Sequence, residues 1–390
     1  MTPDRHDFDA AKRLLIEVPT TPINLQLNVR QRLEHLHIWE TTWKAADRYL
    51  LERIDQLDGQ QGLDAQRAVG IDIVRERLEW QRLKSPLEIA VSDVEMIGFA
   101  RLRTHLVQQF VTLTQAEKLQ WLTNFMFVMT PELREVTKKI ATLLDWTTFG
   151  QRRCMLLGGH SGMGKTTYLH WLSSHALGHV QAERNWIPFL LVDALRSNLS
   201  AKTLPKRMIQ ACGMTALPRG DEEVLLQQLT LYLRQCGTVL AAIDEIEHVK
   251  QPALRRRVLD ISNHIRMPFI CSSVNPRQWA YGDLEVEGRW NDYHALKSYK
   301  GERLGQLLAF IDLVLPFPET SQLIAKPIMT LIERWTGGIL RDIMAVMVDA
   351  SKLAIQQNLP RVSVEVLQAA WASLQRQPVR DFGEEDGTAY

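Results

Sequence analysis

The residues from Cys154 to Thr167 combine a glycine-rich turn with a lysine and two threonines, a composition that suits phosphate binding. The fixed positions of the phosphate-loop pattern G-x-x-x-x-G-K-[ST] are filled by Gly159, Gly164, Lys165 and Thr166. Glycines let successive backbone N–H groups approach a polyphosphate closely, because no Cβ atom blocks them. The positive end of the following helix adds to this anion site. The pattern therefore predicts a nucleoside triphosphate site.

Two side chains of this loop have direct chemical roles in the prediction. Lys165 is expected to reach the β- and γ-phosphates, and the Thr166 hydroxyl to ligate Mg²⁺. The expected nucleotide-binding residues are Gly159, His160, Ser161, Gly162, Met163, Gly164, Lys165, Thr166 and Thr167. A glycine-rich turn in an unrelated α/β domain is the alternative, but an apolar strand before the loop and an amphipathic helix after it disfavour that alternative.

The second chemical element is the apolar run 239–243, which ends in the adjacent carboxylates Asp244 and Glu245. A buried strand that ends this way downstream of a phosphate loop is the Walker B arrangement. Asp244 is expected to hold Mg²⁺ through its water shell, and Glu245 to orient and deprotonate the attacking water. An acidic strand-to-helix turn is the alternative. Together the two motifs predict a hydrolase that acts on a nucleoside triphosphate with Mg²⁺, rather than a mere nucleotide binder.

Polar residues at the end of the predicted strand 267–273 are candidates for sensing the γ-phosphate or the attacking water. Ser273 and Asn275 are the two residues in position to do so. A strand-end hydroxyl that caps the next segment is an equally good interpretation.

Arginines supply two further candidates for contact with the γ-phosphate. Arg341 follows Gly337-Gly338 at the start of a predicted helix, a position suited to reaching over the nucleotide of its own subunit. Arg303 precedes a last predicted strand and suits a finger directed at the neighbouring subunit, with Arg289 as the fallback. A surface ion pair is the alternative role for either residue.

The elements that position these residues alternate between strand and helix from residue 150 onward, which predicts a parallel sheet covered on both faces. The predicted strands are 154–158, 186–193, 238–243, 267–273 and 311–316. Helical patterns then cover 321–336, 340–356 and 363–374. The fold class is therefore α/β, with a phosphate-loop sheet and a helical lid.

The chain before the phosphate loop is predicted to be entirely helical. Helical patterns cover 28–58, 63–84, 92–111, 118–129 and 131–145, and Thr114 with Glu117 forms a capping box. Residues 1–110 contain no cluster of metal-ligating side chains, so an interaction module is assigned to them by elimination. The predicted domains are 1–110 (helical extension), 111–318 (nucleotide-binding core), 319–375 (lid) and 376–390 (disordered tail).

The composition bounds the environment and the partners. The net charge of +1 means that any nucleic-acid contact comes from a local patch. The four cysteines are scattered, which favours buried thiols in a reducing compartment. The N-terminus has no apolar signal core and no apolar run reaches membrane-spanning length, so a cytoplasmic protein is expected.

The phosphate loop, Asp244-Glu245, the polar strand end and the Gly-Gly-x-x-Arg of the lid together resemble an AAA+ ATPase. Over about 115–375 the chain further resembles the TniB/TnsC family of transposition regulators. The sequences that carry this resemblance are Gln-Arg-Arg before the first strand, Gly-His-Ser-Gly-Met-Gly-Lys-Thr-Thr, and Ile-Asp-Glu-Ile-Glu-His-Val-Lys with the arginine-bearing helix and Met-Pro-Phe-Ile strand that follow.

The resemblance implies a regulator that binds ATP, forms homo-oligomeric rings or helical filaments on double-stranded DNA, and recruits a transposase to a chosen target. Hydrolysis then disassembles the oligomer. The implied partners are a transposase and a target selector, in some systems a CRISPR effector with a TniQ-type adaptor. Two stretches, 1–110 and 279–300, are longer than minimal members of the family require.

Family DNA contacts lie in loops after the second strand and its helix, and the resemblance transfers them to one basic stretch. The candidate phosphate-contacting residues are Arg196, Lys202, Thr203, Lys206 and Arg207. No aromatic residue lies among them, which suits backbone tracking without base readout. A solvated helix face is the alternative, and the run 255–257 of three arginines ranks lower.

Two rival functions remain open at this point. One is another DNA-associated AAA+ initiator or loader, which a winged-helix domain after the lid would support, although the chain ends too soon to hold one. The other is a nucleotide-gated protein scaffold with no DNA role. A protein that binds ATP but scarcely hydrolyses it is a third possibility, against which Glu245 argues.

Overall fold

The computed structural model describes residues 13, 15, 29, 30, 33, 103, 104, 106–124, 130–146, 154–175, 186–193, 203–212, 220–248, 252–265, 267–275, 288, 290 and 292–374. Most of the predicted helices 28–58, 63–84 and 92–111 falls outside these residues, as does the tail 376–390.

Five parallel strands form the central sheet, in the order β2-β3-β4-β1-β5. Their bounds are β1 (Met155–Gly159), β2 (Phe189–Asp193), β3 (Leu240–Asp244), β4 (Phe269–Ser272) and β5 (Asp292–Leu296). The strand that precedes the phosphate loop, β1, therefore lies between β4 and β5, and β4 separates it from the acidic strand β3.

Helices connect and cover the strands. They are α1 (Gln115–Asn124), α2 (Pro131–Trp146), α3 (Lys165–His175), α4 (Thr203–Ala211), α5 (Glu222–Gln235), α6 (Pro252–Ile265), α7 (Gly301–Val314), α8 (Lys326–Thr336), α9 (Leu340–Gln356) and α10 (Val364–Ser373). The three predicted lid helices are confirmed by α8, α9 and α10. The predicted capping box is confirmed as well, because the Thr114 N–H donates to Glu117 Oε2 at 2.7 Å and the Glu117 N–H donates to Thr114 Oγ1 at 3.3 Å.

Two apolar layers enclose the sheet, because successive side chains of a strand point to opposite faces. Leu157, Ala242 and Ile270 belong to a core shared with α2, α3 and the lid helices. Leu156, Ile243 and Cys271 belong to a second core under α4, α5 and α6. The carboxyl ends of the strands therefore sit between two helical layers.

The predicted strand at 311–316 is wrong. Residues 301–314 form α7, whose second half is buried almost continuously, from Phe310 to Val314. A helix buried on all sides has no polar face, so its apolar run is indistinguishable from that of a buried strand. The actual last strand, β5, carries polar residues such as Asp292 and His294 and is only half-buried over most of its length, as an edge strand is.

Residues 103–124 join the core to the lid. Arg103 donates through its Nη1 and Nη2 atoms to a fan of main-chain carbonyls at the end of α7 and beyond, those of Asp312, Leu313, Leu315, Phe317 and Glu319. The Trp121 indole N–H donates to the Val314 carbonyl at 3.0 Å. On the lid side, Gln115 Nε2 donates to the Ile355 carbonyl at 3.2 Å and to Asn358 Oδ1 at 2.9 Å. We name residues 103–124 the strap.

Candidate nucleotide site

The phosphate loop leaves β1 at Gly159 and enters α3 at Lys165. Gly159 has φ 136°, and a Cβ there would lie 2.8 Å from the Leu296 carbonyl oxygen of β5. Only glycine fits this approach, so the loop begins where the sequence pattern requires it. His160 and Ser161 are exposed, whereas Met163 is buried in the core, so its contribution to a ligand site is confined to its backbone.

Lys165 is the first residue of α3, and its side chain turns back to the loop, where main-chain oxygens hold its ammonium group. Its Nζ donates to the carbonyl oxygens of Gly159 at 2.6 Å and His160 at 3.2 Å. Burial lowers the pKa of Lys165, and the nearby carboxylates of Glu247, Asp244 and Glu245 act in the opposite direction. A polyphosphate at the loop would supply the negative charge that this partly buried cation favours.

The carboxyl end of β3 places the two acidic residues in different environments. Asp244 is 3% exposed, while the Glu245 side chain is exposed and its backbone has φ 55°. A left-handed conformation at a non-glycine residue is strained and is typical of functional turns. The Glu245 N–H donates to Asp244 Oδ1 at 3.0 Å, which holds this turn. The turn directs Asp244 into the sheet edge and Glu245 outward.

Two serines lie at the carboxyl end of β4: Ser272 is the last residue of the strand, and Ser273 follows it. The Ser272 hydroxyl donates to Asp244 Oδ1. Ser273 is 1% exposed, its N–H donates to the Leu157 carbonyl at 3.1 Å, and its hydroxyl has no partner among the described residues. Asn275 is exposed beyond the strand end. Sequence reasoning selected Ser273 and Asn275 but missed Ser272, whose partner is visible only once β3 and β4 are in register.

The donor set suits Mg²⁺. Thr166 is exposed in the first turn of α3, and Asp244 offers a carboxylate at the sheet edge. Magnesium prefers oxygen ligands and is held by one or two protein groups together with phosphates and water. Within the described residues no group of three or more His, Cys, Asp or Glu side chains could hold a metal without such help. Thr166 and Asp244 therefore fit an ion that arrives with a nucleotide.

The lid contacts the phosphate loop directly through the start of α9. The Arg341 N–H donates to the Gly162 carbonyl at 2.9 Å, and a Cβ on Gly162 would lie 2.9 Å from Arg341 Cβ. The Arg341 side chain is 59% exposed, and its Nε lies 3.2 Å from Asp342 Oδ1. Arg341 thus contacts the phosphate loop of its own chain, and its role at the γ-phosphate stays a prediction.

Arg303 lies in α7, after the last strand rather than before it. It forms an ion pair with Glu132 of α2, donates through Nη2 to the Lys297 carbonyl at 3.2 Å, and lies 5.4 Å above the Tyr299 ring. Burial raises the pKa of Glu132, although the Lys297 N–H and Arg303 act to lower it. Within its own chain Arg303 thus has a structural partner. Arg289, the fallback finger, lies outside the described residues.

The candidate DNA-contacting residues are only partly described. Arg196 and Lys202 lie outside the described residues. Half-buried positions in the first turns of α4 are occupied by Thr203, Lys206 and Arg207. In the second basic run, Arg255 is half-buried and Arg256 is exposed on α6.

None of the described helices combines the length and apolar character needed to cross a bilayer.

Similarity to known proteins was found at two levels. The model of the bacterial TniB protein family matches residues 118–280, which is less than half of the chain. No curated protein matches significantly. Solved structures with a similar fold include Orc1 from Aeropyrum pernix in complex with DNA, with 16% identity, a TM-score of 0.45, and coverage of 62% of this chain and 64% of that one. The match thus spans less than two thirds of the Orc1 chain.

Two further solved structures are similar to this chain. Cdc6p from Pyrobaculum aerophilum has 14% identity and a TM-score of 0.44, covering 62% of this chain and 67% of its own. The RuvB Holliday junction branch migration motor from Thermotoga maritima has 15% identity and a TM-score of 0.40, covering 62% of this chain and 68% of its own.

The sheet order, the phosphate loop after β1 and the acidic pair after β3 define an AAA+-like fold with a helical lid, as the sequence predicts. A fold of this class implies nucleotide binding. The match over residues 118–280, which contain both the phosphate loop and the acidic pair, confirms the resemblance to the TniB family.

Proposed function

We propose that this protein is a cytoplasmic AAA+ ATPase that regulates DNA transposition. With ATP bound it oligomerises on double-stranded target DNA, as a ring or a helical filament, and recruits and activates a transposase at a site chosen by a selector protein. ATP hydrolysis then disassembles the oligomer. The observation that carries this proposal is the TniB family match, because it includes both the phosphate loop and the acidic pair Asp244-Glu245.

The geometry supports a division of labour within the site. Lys165 and the loop N–H groups bind the phosphates, while Thr166 and Asp244 hold Mg²⁺, which supplies charge neutralisation on the phosphates when bound. Glu245, exposed on its strained turn, orients the attacking water and takes its proton. Arg341 lies over Gly162 and senses the γ-phosphate from the lid.

Oligomer assembly and nucleotide state are linked in this proposal. If the γ-phosphate bridges two subunits, ATP favours assembly, assembly favours ATP, and hydrolysis removes the bridge. Arg303 is the proposed finger, although in the isolated chain it is paired with Glu132, so engaging a neighbour requires that pair to open.

DNA binding is assigned to the basic stretch around α4. Arg196, Lys202, Thr203, Lys206 and Arg207 are proposed to contact the DNA backbone, without base readout.

Residues 1–110 are proposed to bind a partner protein. The strap, which begins within that module and contacts both core and lid, is the route by which the partner would act on the ATPase.

Electron microscopy of negatively stained complexes tests the proposal. Purified protein is mixed with random-sequence duplex DNA and ATP, a non-hydrolysable ATP analogue, ADP or no nucleotide. We expect ordered rings or filaments only with DNA and a triphosphate, and fewer of them with Lys165→Ala. Lys138→Ala, which removes a surface lysine paired with Glu135, is the matched control. A protein without DNA affinity in any nucleotide state at low salt contradicts the proposal and supports the protein scaffold.

A further inference from the structure

Ser272 and Asp244 end neighbouring strands side by side. The parallel register pairs Ile243 with Cys271, so the next pair along the strands is Asp244 and Ser272. Because strand side chains alternate, both project from the face that carries Ala242 and Ile270, which is the face covered by α3. The Ser272 hydroxyl donates to Asp244 Oδ1. The hydrogen bond is therefore a consequence of the sheet register.

The oxygen that Ser272 contacts already has a second donor. The Glu245 N–H reaches the same Asp244 Oδ1 at 3.0 Å. An ionised carboxylate has about four acceptor positions on its two oxygens. With Oδ1 engaged twice by the protein, Oδ2 is the oxygen left for the water shell of a metal. One carboxylate thus links the end of β4 to the turn that presents Glu245.

Both side chains of this hydrogen bond are buried, so its loss is costly. Ser272 is 0% exposed and Asp244 is 3% exposed, so water has no ready access to replace a lost hydrogen bond. On its other side Ser272 is paired with Leu157 of β1, whose side chain offers no polar atom. Removal of the hydroxyl leaves a buried carboxylate oxygen with one donor fewer and frees the Asp244 side chain to rotate.

We propose that Ser272 is a positioning residue of the magnesium–nucleotide site: by donating to Asp244 Oδ1 it holds Oδ2 toward the metal's water shell and supports the turn of Glu245. This role rests on the proposed function, since it requires that the chain bind a nucleotide together with Mg²⁺. It differs from the sensing role predicted for Ser273 and Asn275, because Ser272 acts through Asp244 and not on the phosphate.

Calorimetric titration with a non-hydrolysable ATP analogue, in buffer with MgCl₂ and in buffer with EDTA, tests the role. The variants are Ser272→Ala, which removes the donor, and Ser272→Cys, which keeps nearly the same volume with a weaker donor and so guards against a folding failure. In both variants we expect the affinity in EDTA to be unchanged and the gain in affinity on adding Mg²⁺ to fall about tenfold. Ser351→Ala is the control, since that buried lid hydroxyl has no partner among the described residues.

Three outcomes overturn the proposal. A magnesium-dependent gain as large in both variants as in the wild type shows that Asp244 needs no support from Ser272. Equal losses in MgCl₂ and in EDTA for Ser272→Cys show a role in folding alone. A wild-type protein that binds no analogue in either buffer refutes the proposed function itself and this role with it, an outcome that the wild-type titration separates from the other two.

Discussion

At the scale of residues, the site is an arrangement of buried charges with defined partners. Lys165 is held by two loop carbonyls, and Asp244 by two donors. Arg303, the proposed finger, is paired with Glu132 of α2, far from the phosphate loop in sequence. Experiment can separate this structural pairing from the proposed role as a finger.

We expect Arg303→Met to lower the free energy of unfolding by about 1–2 kcal/mol, because it removes the charged partner of the partly buried Glu132 carboxylate while solvent still screens the loss. Urea denaturation of Arg303→Met, Glu132→Gln and the double variant measures this effect. The double variant should be more stable than the sum of the single losses predicts. If the losses are additive, and Arg303→Met keeps its fold but loses ATPase activity, then Arg303 acts as a finger and its pairing with Glu132 does not stabilise the fold.

The raised pKa of Glu132 also sets the sign of a pH effect. Because burial raises this pKa above its ordinary value of 4.5, the folded state binds more protons than the unfolded state just above that pH. The stabilisation from the protonated carboxyl is present below pH 4.5 and is lost as the pH rises through the raised value. Across this pH window the free energy of unfolding should fall less steeply with pH in Glu132→Gln than in the wild type. If it falls equally steeply in both proteins, other groups cause the pH dependence.

At the scale of elements, the strap is the feature that sequence periodicity does not reveal. Arg103 satisfies carbonyls at the end of α7, a helix end that otherwise leaves acceptors without donors. Gln115 ties the same segment to the end of α9. Lid and core are thus joined at a second place, away from the phosphate loop.

Arg103→Met should cost about 2–3 kcal/mol of stability, since several hydrogen bonds to a charged donor are lost at a partly buried site. Arg361→Met is the matched control, because Arg361 lies 3.9 Å from Glu319 at the surface with 46% of its side chain exposed. Its loss should stay below about 0.5 kcal/mol. Equal effects of the two substitutions in urea denaturation would show that the strap does not stabilise the junction.

The lid packs closely against the core at Gly338. Gly338 has φ 79°, and a Cβ there would lie 2.5 Å from the Tyr299 carbonyl oxygen. We expect Gly338→Ala to displace the start of α9, to lower stability by about 1–3 kcal/mol and to weaken nucleotide binding, because Arg341 moves with the helix.

Gly301→Ala is the control for backbone strain alone. Gly301 also has a positive φ, 52°, but a Cβ there meets nothing within 4 Å. It should lower stability without changing nucleotide affinity. If Gly338→Ala binds nucleotide as the wild type does, the lid contact is not part of the site.

At the scale of the whole molecule, the sequence predicted the features that are local in the chain and missed those that depend on packing. The phosphate loop, the acidic pair and the lid helices follow from short spacings and periodicities. The run 311–316 was assigned to a strand because a fully buried helix has no polar stripe, and β5 was overlooked because its own sequence, with Asp292 and His294, is polar. Ser272 and the strap depend on contacts between segments distant in sequence, which no local pattern encodes.

In the proposed function these parts act together, so that the ATP state governs assembly on duplex DNA. The most direct test is the dissociation of protein from fluorescent random-sequence duplex DNA, followed by anisotropy after ATP addition, for the wild type and Glu245→Gln. We predict that the wild type leaves the DNA as ATP is consumed, whereas Glu245→Gln, which binds ATP but cannot take the proton from water, stays bound. Equal DNA binding with ATP, with ADP and without nucleotide in both proteins would contradict the proposal.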